Sequence, residues 1–145
     1  MIIANWKMNG TRQSVESWIE AVSDNINIKK TNPCIFCPPS CYLEYARSLI
    51  VENDYQVEIG SQIVNHSFED EPLTGGMSTT MLKDLGVEYV LVGHSEQRNF
   101  LRESNNLITK KIEKALEDEL SVIYCIGEDI DTKNKNETYL FLSEQ

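Results

Sequence analysis

Long apolar runs are missing from this chain: none approaches the roughly 20 residues that a bilayer-spanning helix needs. The opening residues are a strand-like Met1–Trp6 followed by Lys7, without the basic flank and extended apolar stretch of a targeting leader. The expectation is a soluble, unprocessed, cytoplasmic protein with no membrane partner. Basic residues are also scarce. Thirteen Lys and Arg stand against 23 Asp and Glu, a formal net charge of −10. That balance argues against nucleic acid as a partner, because a binder must neutralise phosphates with a basic surface. An anionic ligand would have to be gripped locally, by Lys7 or by helix N-termini.

Cysteines are few: Cys34, Cys37, Cys41 and Cys125. Cys34 and Cys37 have C-x-x-C spacing, but residues three apart on a strand point to opposite faces, and no histidine or second C-x-x-C completes a ligand set. Reduced, packed thiols are expected, with no metal. The N-x-S/T sequons at Asn9, Asn65 and Asn136 carry no meaning in a cytosolic protein.

What the chain does have is enough apolar content, 41% of 145 residues, for a real core. Strand-like runs recur at Ile2–Trp6, Cys34–Cys37, Val57–Gly60, Tyr89–Val92 and Val122–Ile126. Most gaps between them carry a helical stripe. Val15, Trp18, Ile19, Val22 and Ile26 form one helix face, and Tyr42, Tyr45, Ala46, Leu49 and Ile50 form the next. A shorter helix is expected over 78–85, between a serine N-cap and Gly86. Another runs from Ser104 to about Asp118, stacking Ile108, Ile112, Ala115 and Leu116 on one side, with Lys110, Lys111 and Lys114 on or near the other. The stretch 129–136 reads as polar turn, after which 137–145 begins a new apolar helical stretch.

The fourth and fifth runs are almost continuously apolar, as strands covered on both faces are, which favours a parallel sheet. Right-handed crossovers then place every strand's carboxyl end on one side. There lie Asn5 and Lys7, Pro38 to Ser40, Ser61 and Gln62, His94 to Glu96, and Gly127 with Glu128. This polar rim suits a (β/α) barrel or a doubly wound sheet, the barrel being favoured. His94 follows Gly93 at a strand end and opens a helix, where backbone N–H groups can hold an imidazole neutral as a hydrogen-bond donor. Plainer readings stand beside these: His94 as a structural residue, Lys7 as a solvated charge, Glu96 and Arg98 as a solvated helix start, and Cys125 with Glu128 as packing and a buried polar anchor. The long loop 63–77, containing Pro72, Gly75 and Gly76, is either a functional or interfacial element or a surface excursion.

Asn5-Trp-Lys7-Met-Asn-Gly10, Cys37-Pro-Pro39, Gly60-Ser-Gln62, Thr74-Gly75, Val92-Gly-His-Ser-Glu96 and Cys125-Ile-Gly-Glu128, in this order and spacing, closely resemble the triosephosphate isomerase family. The resemblance implies a (β/α)8 TIM barrel, for which about 250 residues is typical. Residues 1–145 would then be the amino-terminal portion of a single barrel domain, with about five of its βα units and no internal boundary. It implies interconversion of dihydroxyacetone phosphate and glyceraldehyde 3-phosphate without metal or cofactor, in a homodimer.

By that likeness His94 is the electrophile on the substrate carbonyl, a residue of this family being a standard example of a histidine kept neutral by a helix N-terminus. Lys7 and Asn5 bind substrate, Glu96 is the charge partner of Lys7, and Ser95 sits at the helix start. Thr74 and Gly75 form a loop tip that reaches a sister subunit. The family's general base, a strand-six glutamate, and its glycine-rich phosphate loops fall beyond residue 145. Ile63, Gly76 and Gln97 depart from the family's usual Asn, Glu and Arg. The alternative is a non-catalytic half-barrel that binds a sugar phosphate or associates with itself, its edge strands unpaired and its lining open.

Overall fold

The computed structural model describes residues 1–25, 32–66 and 73–145. Ile26 of the first expected helix face and the middle of the long loop lie outside the described residues. Five strands form one parallel sheet in the order of the sequence: β1 (Ile2–Asn5), β2 (Cys34–Cys37), β3 (Val57–Ser61), β4 (Tyr89–Val92) and β5 (Ser121–Tyr124). The connections carry α1 (Arg12–Asn25), α2 (Leu43–Glu52, entered through a 3₁₀ turn at Ser40–Tyr42), α3 (Thr79–Asp84), α4 (Ser95–Phe100) and α5 (Asn105–Glu117). After β5 come α6 (Ile130–Asn134) and α7 (Thr138–Ser143). Among the described residues no helix is long and apolar enough to cross a membrane.

Strand alternation sorts the core into two faces. Cys34, Phe36, Val57, Ile59, Val90 and Val92 pack against Val15, Ile19, Leu43, Ala46, Leu82, Ile108 and Ala115 of the helices. Ile35, Cys37 and Leu91 form a separate cluster with Tyr89, Ile123 and Cys125, to which no described helix contributes. A doubly wound sheet would reverse its strand order and carry helices on both faces. Sequential order with helices on one face is singly wound, the arrangement of an incomplete (β/α)8 barrel, with the second cluster as its lining. Cys34 and Cys37 fall in different clusters, so the C-x-x-C spacing makes no shared site.

Local signals set the helix starts. Thr11 and Ser14 exchange side-chain-to-backbone hydrogen bonds at the head of α1. Ser78 caps α3 by accepting from the Met81 N–H, and Ser104 caps α5 by accepting from the Leu107 N–H.

Three expectations require correction. Leu116 is 57% exposed, and Lys111, assigned to the polar side, is 6% exposed. The buried stripe of α5 is therefore Ile108, Lys111 and Ala115, with Ile112 partly buried against the core. Glu103, just before the helix, supplies the carboxylate that lets Lys111 go under. Strand β5 stops at Tyr124, leaving Ile126 59% exposed, because β4 ends at Val92 and only the Cys125 N–H bond to the Val92 carbonyl continues the ladder. The polar stretch after Glu128 contains α6, which Asp129 caps through the Thr132 N–H at 2.7 Å.

Candidate active site

Four strand ends contribute to one rim. At the end of β1 the chain leaves the sheet through Lys7, whose φ of +54° is unusual for a side-chain-bearing residue. Two bonds hold it there. Asn5 Oδ1 accepts the Lys7 N–H at 3.0 Å, and Gln62, just beyond β3, donates from Nε2 to the Lys7 carbonyl at 2.9 Å and to the Cys37 carbonyl at 2.8 Å. One amide thus ties β3 to the exits of β1 and β2.

At the end of β4, Gly93 turns the chain with φ +76°, and His94 becomes the N-cap of α4. The Glu96 N–H donates to His94 Nδ1 at 3.2 Å. With that lone pair engaged, a neutral ring carries its proton on Nε2, as a donor. A Glu96 carboxylate oxygen also lies 3.5 Å from Nδ1. Hydrogen-bond geometry favours the backbone donor over this longer approach.

Glu96 joins the two halves of the rim. Its other oxygen accepts from the Lys7 ammonium at 2.7 Å, although the two residues are 89 positions apart. That hydrogen bond, together with the Lys7 charge, holds the Glu96 carboxyl below its usual range against some desolvation. Lys7, Glu96 and His94 therefore meet, each still partly exposed. An ammonium and a neutral imidazole side by side can bind an anion and polarise a carbonyl. Beside them His94, Ser95, Arg98, Cys125, Gly127 and Glu128 line an open cleft of about 500 Å³.

Thr74 and Gly75 stand apart from this group. They form the tip of a tight turn closed by the Gly76 N–H to the Leu73 carbonyl at 3.0 Å, with Gly75 at φ +81°. Asn65 and Met77 pin the base of the loop. Both tip residues are exposed, and no described hydrogen bond or ion pair joins them to Lys7, Glu96 or His94. Among the departures, a side chain at Gly76 would come within 3.1 Å of Asn65 Oδ1 and the Leu73 carbonyl. A larger residue there would need Asn65 or the Leu73 backbone to give by a few tenths of an ångström.

Two residues gain roles that the sequence did not reveal. Gln62 was visible only as part of a strand-end motif, with nothing local to indicate that it braces Lys7. Arg98 is no solvated helix start: it donates to the Gly93 carbonyl at 2.7 Å, to Asn105 Oδ1 at 2.6 Å and to the Tyr124 hydroxyl at 3.2 Å. Cys125 packs with the lining cluster, as a packing role requires. Glu128 is half-buried, with one buried oxygen that has no hydrogen-bond partner among the described residues.

The chain matches the family model for triosephosphate isomerase over residues 1–145. It is similar to proteins named triosephosphate isomerase from Alkaliphilus oremlandii, at 32% identity over the whole chain and 57% of that relative, and from Neurospora crassa, at 38% identity over 97% of the chain and 55% of the relative. A third, from Mycoplasmoides pirum, is 34% identical over the whole chain and 95% of its own length. The chain thus spans little more than half the length of the first two. On this match across all its residues, with five βα units laid down in barrel order, the chain belongs to the triosephosphate isomerase family.

Proposed function

We propose that these residues are the amino-terminal part of an enzyme that interconverts dihydroxyacetone phosphate and D-glyceraldehyde 3-phosphate. The observation that carries this reading is the meeting of Lys7, Glu96 and His94 from the first and fourth βα units. Isomerisation requires removal of a proton from the carbon beside a carbonyl, and charge then develops on the carbonyl oxygen. His94 Nε2–H donates to that oxygen and the Lys7 ammonium offsets the charge, both held in place before the reaction begins. Glu96 pins the ammonium, while Asn5 and Gln62 fix the backbone that presents it. The proton goes to a carboxylate base supplied by residues outside these 145. Transfer of the hydroxyl proton from the neighbouring oxygen to the former carbonyl oxygen, with reprotonation at the neighbouring carbon, completes the exchange of aldehyde and ketone.

Further parts of the reading are proposals too. The whole barrel is a single domain, works in the cytoplasm as a homodimer, and extends the Thr74–Gly75 tip toward its sister subunit. Sedimentation of the full protein tests the dimer. The activity itself is tested by a coupled isomerase assay on the full protein carrying this chain. His94→Gln should lower kcat by about 100- to 1,000-fold, the usual loss when one donor to a developing oxyanion is removed. A full protein without isomerase activity, or a variant as fast as its parent, refutes the proposal.

A further inference from the structure

We infer that Arg98 is a positioning residue for His94, acting through the carbonyl of Gly93. Its guanidinium touches three elements. Nε donates to the Gly93 carbonyl at 2.7 Å, Nη1 to Asn105 Oδ1 at the start of α5 at 2.6 Å, and Nη2 to the Tyr124 hydroxyl at the end of β5 at 3.2 Å. The group also lies 5.9 Å from the centre of the Tyr124 ring. A planar fork held on three sides has little freedom to turn.

The Gly93 oxygen shares a rigid peptide plane with the His94 nitrogen. Fixing that oxygen fixes the rotation of the plane, and with it the direction in which His94 leaves the backbone. The space around Gly93 is already closed. A side chain there would meet Arg98 Nη2 and Tyr124 Cε2 at 3.0 Å and the Cys125 carbonyl at 3.1 Å, at a φ of +76°. The Cys125 N–H bond to the Val92 carbonyl at 2.8 Å clamps the preceding residue to β5. Thus β5, which supplies none of the Lys7–Glu96–His94 contacts, sets the aim of the imidazole through Arg98. Lysine at this position keeps the charge, but its three donors sit on one nitrogen and cannot span the partners that Nε, Nη1 and Nη2 reach separately.

The inference rests on the proposed role of His94, and its experiment separates the two. Full protein carrying Arg98→Lys, Arg98→Ala, Tyr124→Phe or His94→Gln is assayed for kcat and KM, and the imidazole nitrogens of His94 are followed by nitrogen-15 NMR. Arg98→Lys should lower kcat by about 10- to 100-fold, the scale of a small misplacement of a reacting group, with KM nearly unchanged and the His94 nitrogen shifts moved. Millimolar guanidinium should restore part of the activity of Arg98→Ala and none of that of His94→Gln. Tyr124→Phe, which removes only one hydroxyl, should give a smaller fall in kcat, and it carries the test if neither Arg98 variant folds. A folded Arg98→Lys with parental kcat and unmoved His94 shifts overturns the inference, as does parental kcat in Tyr124→Phe when that variant alone folds. An inactive parent protein overturns the proposed function instead, and the NMR shifts then still decide whether Arg98 positions the ring.

Discussion

The pair Lys111–Glu103 offers the sharpest test of how this sequence holds its fold. Lys111 lies on the core side of α5, its side chain 7% exposed and that of Glu103 8%. The two groups are in direct contact. Burying two charges costs several kcal/mol per ion, and their mutual attraction repays this only while both are present. Glu103→Gln leaves the ammonium of Lys111 buried without a counter-charge, and the expected cost is about 3–5 kcal/mol. A typical domain has only about 5–15 kcal/mol in total, so this one change removes a large share. Replacing both residues together, Glu103→Leu with Lys111→Met, removes the charges and keeps apolar volume, and should be near neutral or stabilising. Urea unfolding followed by far-UV circular dichroism, at one fixed protein concentration, measures both variants. The reasoning fails if Glu103→Gln costs less than about 1 kcal/mol, the range of an exposed pair, or if the double apolar variant is as damaged as the single one.

Gln62→Leu removes two hydrogen bonds of roughly 1 kcal/mol each but frees Lys7 from a backbone conformation worth roughly 1–3 kcal/mol of strain. Its stability should change little while kcat/KM in the isomerase assay falls; intact kcat/KM in a folded variant refutes the bracing role. Asp118 accepts hydrogen bonds from Thr79 and Lys114, which hold its carboxyl below its usual value of 3.8 against some desolvation. A lowered folded-state pKa gives stability that is present above 3.8 and lost as pH falls through the folded value. Unfolding curves should therefore show Asp118→Asn well below the parent near neutrality, the gap closing in acid; a gap constant with pH sinks the assignment.

How legible the fold was depended on whether the signal was local. Strands β2 and β4 lie where the apolar runs place them, because a strand covered on both faces leaves few positions for polar residues. The caps Ser78 and Ser104 were readable for the same reason, each satisfying a donor only three residues away. The end of β5 was misplaced because a strand's length depends on its neighbour, and β4 gives way to Gly93 before Ile126 can pair. Lys111 was misplaced because hydropathy assigns a cation to water and cannot see a carboxylate eight residues back. At the rim, Asn5, Lys7, His94 and Glu96 stood out as polar residues at strand ends. Gln62 stood on the same rim, but its bracing role and that of Arg98 were not legible, since their partners are fixed only by tertiary folding.

The Lys7–Glu96 contact also says something about shape. Lys7 follows β1 and Glu96 follows β4, with β2 and β3 between them in the sheet. Three strand spacings in a flat sheet amount to about 14 Å, and sheet twist alone would turn the two rims further apart. An ion pair of 2.7 Å between these two side chains suits a rim that curls inward, as a closing barrel does, bringing non-adjacent strand ends within reach of one another. Gln62 reinforces the same curvature by reaching back from β3 to the exits of β2 and β1. The candidate site is thus a property of the curl: local bonds set Lys7 and His94 within their own units, bonds between βα units bring them together, and no single unit carries an ammonium, an imidazole and the carboxylate that joins them.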